Sequence, residues 1–163
     1  MMTWLVLICA FTLICFGGVL LFGAPYLPTL TPQVKVALEL ANLRPGDTLL
    51  ELGCGDGKVL IAAARQGIQS VGYELNPILV AVAWLRARRY HKQIRIIWGD
   101  FWLATWPPHD AIFVFLLPKY MKKLDTKIIK SKQIPVKLVS FAFRIPNKRI
   151  SNEKQGVYLY KYR

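Results

Sequence analysis

The stretch Leu49-Leu50-Glu51-Leu52-Gly53-Cys54-Gly55-Asp56-Gly57 constrains this chain most. An apolar run ends at an acid, and glycine then occupies every second position. A segment with helical character follows, Lys58 to Gln66, closed by Gly67. This order reads as strand, tight turn and helix start. Glycine is placed where the backbone must take positive φ or come close to a ligand. The spacing is G-x-G-x-G behind an acid, which differs from the dinucleotide fingerprint G-x-G-x-x-G.

The rest of the chain repeats the alternation. Ala24 to Pro32 is a proline-rich connector. Thr31 and Pro32 read as N-cap and first position of a helix that stops before the turn Arg44-Pro45-Gly46-Asp47. Strands are expected over Asp47–Leu52, Ile68–Tyr73, Gln93–Trp98, Ala111–Leu117 and Lys137–Phe143. One more, Gly156–Tyr162, is expected after strand five. Asn76 and Pro77 open a long helix, and Pro118 opens a basic one reaching about Lys132. Strands alternating with helices predict an α/β fold with a mainly parallel sheet. The 163 residues suit one domain.

Ligands of such sheets sit at the carboxyl ends of the strands. Three acids fall there: Glu51, Glu74 and Asp100. Acids at strand ends favour a ligand carrying positive charge and hydroxyls over a pyrophosphate. S-adenosylmethionine carries an ammonium, a sulfonium and a ribose. Glu74 follows Glu51 by one β-α-β unit, which suits the ribose hydroxyls. Asp100 is expected to accept from the adenine amino group, with Leu75, Phe101 and Trp102 covering the ring.

Thr3 to Gly23 contains no charged residue and is long enough to span a bilayer as a helix. No basic residue precedes it, and no small-x-small site ends it, so an uncleaved anchor is expected rather than a signal peptide. Residues 1–23 are therefore read as a single-pass anchor and 24–163 as the domain. All 22 Lys and Arg follow the apolar segment, which places the domain on the cytoplasmic or mitochondrial matrix side. The net charge of +13 favours a lipid bilayer with anionic headgroups. No nucleic-acid motif accompanies it, so a nucleic-acid partner is not expected. Three scattered cysteines without C-x-x-C predict neither disulfides nor a metal site.

Taken together, Glu51 to Gly57, Tyr73-Glu74-Leu75-Asn76 and Gly99-Asp100-Phe101-Trp102 resemble the cofactor loops of class I, seven-β-strand S-adenosylmethionine-dependent methyltransferases. Pro25-Tyr26-Leu27-Pro28-Thr29 behind an apolar segment and Phe115-Leu116-Leu117-Pro118 narrow the likeness. They are similar to a small family of membrane-anchored protein lysine methyltransferases, whose mitochondrial members act on the ATP synthase c subunit or the adenine nucleotide translocase. The resemblance covers residues 24 to 143. It implies a Rossmann-like sheet with an antiparallel C-terminal strand, and S-adenosylmethionine as cofactor. It further implies cofactor contacts from Glu51, Gly53, Cys54, Gly55, Gly57, Glu74, Leu75, Asn76, Asp100, Phe101 and Trp102. The implied partner is a membrane protein carrying an acceptor lysine.

Asn/Asp-Pro-Pro-Tyr, the motif of amide and adenine methylation, is absent after strand four. Tyr26 and Thr29 of the connector are the candidates for lining the acceptor channel. Two rival readings are a methyltransferase of a membrane-soluble quinone or lipid, and a non-catalytic membrane-bound interaction module. An intact glycine loop disfavours the second.

Overall fold

In the computed structural model, residues 4–7, 10 and 27–163 are described. The expected anchor over residues 1–23 and the candidate Tyr26 lie almost wholly outside them. Among the described residues no helix is long and apolar enough to cross a membrane.

Seven strands form one sheet: β1 (Thr48–Leu52), β2 (Gln69–Glu74), β3 (Ile94–Trp98), β4 (Ala111–Val114), β5 (Val136–Phe141), β6 (Asn152–Lys154) and β7 (Val157–Tyr162). Their spatial order is β3-β2-β1-β4-β5-β7-β6. The first five are parallel, and β7 is antiparallel to both its neighbours. The α-helices around the sheet are α1 (Thr31–Ala41), α2 (Lys58–Ala64), α3 (Pro77–Ala87) and α4 (Pro118–Ser131).

This order gives the sheet two directions of growth. From β1 the chain steps outward through α2 to β2 and through α3 to β3. It then returns to β4 on the other side of β1 and continues through α4 to β5. Right-handed crossovers put helices of opposite growth on opposite faces. Accordingly Val34, Ala37 and Leu38 of α1 and Val59 and Ala63 of α2 pack with Leu49, Phe113 and Val139. Met121, Leu124 and Ile128 of α4 pack with Leu50, Leu52, Ile112 and Leu138 on the reverse face. Adjacent residues Leu49 and Leu50 thus serve different cores, as the two-residue period of a strand requires. The switch in direction opens a crevice between the carboxyl ends of β1 and β4.

Three expectations are corrected. The chain carries two strands after β5, not one. β6 is three exposed residues, Asn-Glu-Lys, with no apolar alternation to reveal it. Gln155 and Gly156 join it to β7 with φ of 50° and 74°, the double positive φ of a two-residue hairpin. Thr31 is the first helical residue of α1; Leu30 stands at the cap without a side-chain hydrogen bond. The apolar run from Ala111 outlasts its strand: β4 ends at Val114, and Phe115 and Leu116 leave the sheet to line the crevice.

Gly72 of β2 faces α2 and the glycine turn. A Cβ there meets Leu60 Cδ1 at 2.6 Å and Cys54 Cβ and Sγ at 2.8 Å. Gly72→Val is therefore expected to cost about 1–3 kcal/mol through overpacking. Urea unfolding measures it, and an unchanged midpoint would mean the turn yields without cost.

Candidate active site

The turn after β1 is fixed to the end of β2. The N–H groups of Gly53 and Cys54 both donate to the Tyr73 carbonyl, at 2.9 and 2.8 Å. Gly55 and Gly57 take φ of 53° and 76°, conformations in which a side chain is strained. Gly57 caps α2, and a Cβ there would press on Ala83 Cβ at 3.3 Å. The backbone can therefore fold back over the crevice while α2 and α3 stay in close contact.

Glu74 closes the arrangement from β2. Its Oε2 accepts from Gly55 N–H and its Oε1 from Asn76 N–H, each at 2.8 Å. A carboxylate has about four acceptor positions, so two remain for a ligand. Glu51, only 4 % exposed, is the penultimate residue of β1, and its Oε2 is buried with no hydrogen-bond partner. Burial raises its pKa well above the ordinary carboxylate value, and the Glu74 charge adds to this. The backbone amide of Leu60, in the first turn of α2, offsets part of it. Asp100 lies beyond β3, where its Oδ1 accepts from Trp102 N–H at 2.7 Å. The Cys54 thiol is pushed up by burial and then by Glu51 and Glu74. It remains protonated at neutral pH and has no nucleophilic character.

These groups meet in one crevice of about 1060 Å³, counted to its open mouth. Of the expected residues, Thr29, Glu51, Gly53, Cys54, Gly55, Glu74, Leu75, Asp100, Phe101 and Trp102 line it. Two stand behind it. Gly57 shapes the turn, and Asn76 caps α3, its Oδ1 accepting from Ile78 N–H at 2.9 Å and Leu79 N–H at 3.4 Å. Thr29 reaches the wall because the Lys58 ammonium donates to its carbonyl at 3.0 Å, tying the connector to α2.

Sequence reading missed several lining groups. Asp56 is ion-paired with Arg86 of α3, a partner thirty positions away that no local pattern reveals. Phe115 and Tyr120 form the wall nearest α4, where Tyr120 lies 6.0 Å from the Trp102 ring. The only available signal was an aromatic set among lysines at the start of α4. Leu27 and Pro28 join Thr29 in the lining.

The charge distribution is sharply divided. Glu51, Asp56, Glu74 and Asp100 are four of the nine acids in the whole chain, and all face this crevice. Lys58 is the one basic residue that lines it. The protein as a whole carries +13. An acidic pocket in a basic protein attracts a ligand with positive charge and hydrogen-bond donors.

A family model described as the ANTKMT methyltransferase domain matches residues 51–152. The chain belongs to this family. The match begins at Glu51 and runs to the start of β6, so it takes in the glycine turn and all three strand-end acids. A relative from Xenopus laevis, named as a lysine N-methyltransferase of the ATP synthase c subunit, is 36 % identical over 125 residues. The match takes in 76 % of this chain and 55 % of the relative. A Saccharolobus islandicus relative named protein-lysine N-methyltransferase is 30 % identical over 148 residues, covering 83 % of this chain and 92 % of its own. The chain spans about half the length of the vertebrate ATP synthase-directed enzymes it matches. Among solved structures, an RNA methyltransferase from Salinibacter ruber in complex with S-adenosyl-L-homocysteine superposes with a TM-score of 0.78. It is 30 % identical, with 83 % of this chain and 93 % of that one covered.

Proposed function

We propose that this chain is an S-adenosylmethionine-dependent methyltransferase that modifies lysine on a membrane or membrane-associated protein. The observation that carries the cofactor reading is the buried, unpartnered Oε2 of Glu51 in an acidic crevice of a basic protein. The residues fit the cofactor. Glu51 binds the ammonium of its amino-acid part beneath the glycine turn. Glu74 accepts from the ribose hydroxyls with the lone pairs that Gly55 and Asn76 leave. Asp100 accepts from the adenine amino group, and Leu75, Phe101 and Trp102 cover the ring. When bound, the cofactor supplies an electrophilic methyl group.

The chain's own task is then to present a neutral amine in line with that group. A lysine in water has a pKa of about 10.4 and must lose its proton. Phe115 and Tyr120, which line the same crevice as Thr29, make part of its wall apolar and aromatic; such surroundings disfavour the ammonium form. Thr29 lines the crevice and is assigned to the acceptor channel; Tyr26, which lies outside the described residues, is the second candidate for that role. The names of the Xenopus and Saccharolobus relatives support lysine as the acceptor.

Residues 3–23 serve as a single-pass anchor in this reading, with the domain on the cytoplasmic or matrix side. The uncharged stretch and the basic residues that follow support it.

A second reading, an RNA acceptor, is favoured by the likeness to the Salinibacter RNA methyltransferase and by the net charge. One experiment separates them. Isolated membranes and total RNA are each incubated with the full chain and methyl-labelled cofactor. Lysine methylation predicts label in membranes that protease digests and solvent does not extract. Label lost to ribonuclease supports the RNA reading. Label extracted with lipids and quinones contradicts both.

A further inference from the structure

Exposed apolar side chains stand at the edge of the sheet where the crevice opens, and all but Leu75 lie outside the cofactor reading. Leu75 follows β2, Trp98 ends β3, and Leu103 lies in the loop beyond it. Leu27 and Leu30 flank Thr29 in the connector. Their exposures run from 37 % at Leu75 to 86 % at Leu103. All five stand at the carboxyl edge of the sheet. The polar edge of Trp98 is already satisfied, since its indole N–H donates to the Leu75 carbonyl at 3.0 Å. What it offers outward is ring surface. A tryptophan of this kind suits a membrane–water interface.

Cations border the same edge. α4 starts there, and its first turn contains no acid. The ammonium of Lys119 lies 4.8 Å from the Tyr120 ring centroid, and that of Lys123 lies 4.3 Å from the Trp102 ring. Apolar groups rimmed by lysines match an anionic bilayer surface.

Chain length selects the same edge. The apolar run read as the anchor ends at Gly23, and Leu27 is already in the crevice wall. Four residues reach at most about 14 Å even fully extended. A span that ends at Gly23 therefore holds the mouth of the crevice within about 14 Å of the bilayer surface. A second exposed apolar pair, Ile129 and Ile134, is grouped with Lys148, Lys161 and Arg163. It sits at the far end of α4, beside the start of β5 and the end of β7, at the amino edge. No short connector leads from there to residue 23.

We propose that the rim of the crevice is a bilayer-docking surface. Leu27, Leu30, Trp98 and Leu103 enter the headgroup layer of an anionic membrane, and Lys119 and Lys123 pair with lipid anions. The crevice then opens at headgroup depth, so the acceptor lysine is one that its own protein presents at the membrane surface. The proposal rests on the anchored, lysine-directed reading above, and its test is separate from that reading.

The full chain, with Cys9 and Cys15 replaced by serine, is reconstituted in phosphatidylcholine–phosphatidylglycerol vesicles. It carries a fluorophore at Leu103→Cys or at Ile129→Cys, and the native Cys54 is buried. Lipids bearing a nitroxide at the headgroup quench whatever lies at that depth. The probe at 103 is expected to be quenched several-fold more strongly than the probe at 129. The reverse order, or no quenching at 103, overturns the docking surface. Carbonate extraction of the same vesicles reports on the anchor alone. A chain released by carbonate yet quenched at 103 keeps the rim and removes the span. Methylation assays are not part of either readout.

Discussion

Glu74→Ala is expected to remove measurable cofactor binding and to destabilise the free protein as well. The two losses have different origins. In the free protein both carboxylate oxygens hold backbone N–H groups, one from Gly55 and one from Asn76. Glu74 is only 8 % exposed, so water does not readily replace it. A buried donor left unpaired costs about 1–3 kcal/mol, and the substitution creates two. The ligand then loses its ribose acceptors, a further 1.5–3 kcal/mol or so for charge-assisted bonds, and meets a turn no longer held in place. Thermal unfolding and calorimetric titration of the same samples separate these effects. Lost affinity with unchanged stability would show that the two backbone bonds contribute nothing to the fold. Unchanged affinity would reject Glu74 as part of the site.

The double role of Glu74 also marks how far the sequence can be read. An acid at the end of β2 is visible because strand and helix patterns locate the strand end. Its bond to Gly55 is not visible, because that partner arrives from another β-α turn, nineteen positions away. The same holds for Asp56 and Arg86. Asn76 shows the opposite case. It lies in a stretch that resembles a cofactor loop, yet its Oδ1 is spent on the first turn of α3, while its buried Nδ2 has no partner. The following Pro77 was the clue, since Asn before Pro is a helix-start pattern.

The β1 glycine turn and the acids beyond β2 and β3 were legible for a physical reason. Positive φ demands glycine, and buried acids are rare enough to stand out at strand ends. The hairpin of β6 and β7 was half legible. The Tyr-rich alternation of β7 sends Tyr158, Tyr160 and Tyr162 into one core and Val157 and Leu159 into the other, and so leaves a pattern. β6 buries nothing, and Gln155 is an unusual residue for positive φ. The aromatic wall at Phe115 and Tyr120 was hidden because an apolar run does not disclose where its strand ends.

The second large effect is expected at Glu51. Its Oε2 has no partner, and burial and Glu74 hold its pKa well above the ordinary value against the opposing bond from the Leu60 amide. In the free protein this makes a stability contribution present at low pH. It is lost as pH rises from the unfolded carboxylate value through the raised one, because the unfolded chain gives up its proton first. An ammonium bound beside Glu51 reverses the preference and favours the carboxylate. Binding must then release a proton, and affinity must rise with pH across that window. Glu51→Gln keeps the shape and removes the charge. The variant is expected to be at least as stable as the parent when free at neutral pH. Its cofactor affinity should fall by about tenfold or more, the equivalent of a 1.5–3 kcal/mol charged hydrogen bond.

Titration of S-adenosylmethionine into the full chain, by calorimetry in two buffers of different ionisation enthalpy, tests the central claim most directly. The predicted result is one site, with proton release in the parent and neither full affinity nor proton release in Glu51→Gln. Equal affinity in the two proteins, or no binding heat in the parent, would contradict the assignment of this crevice to the cofactor.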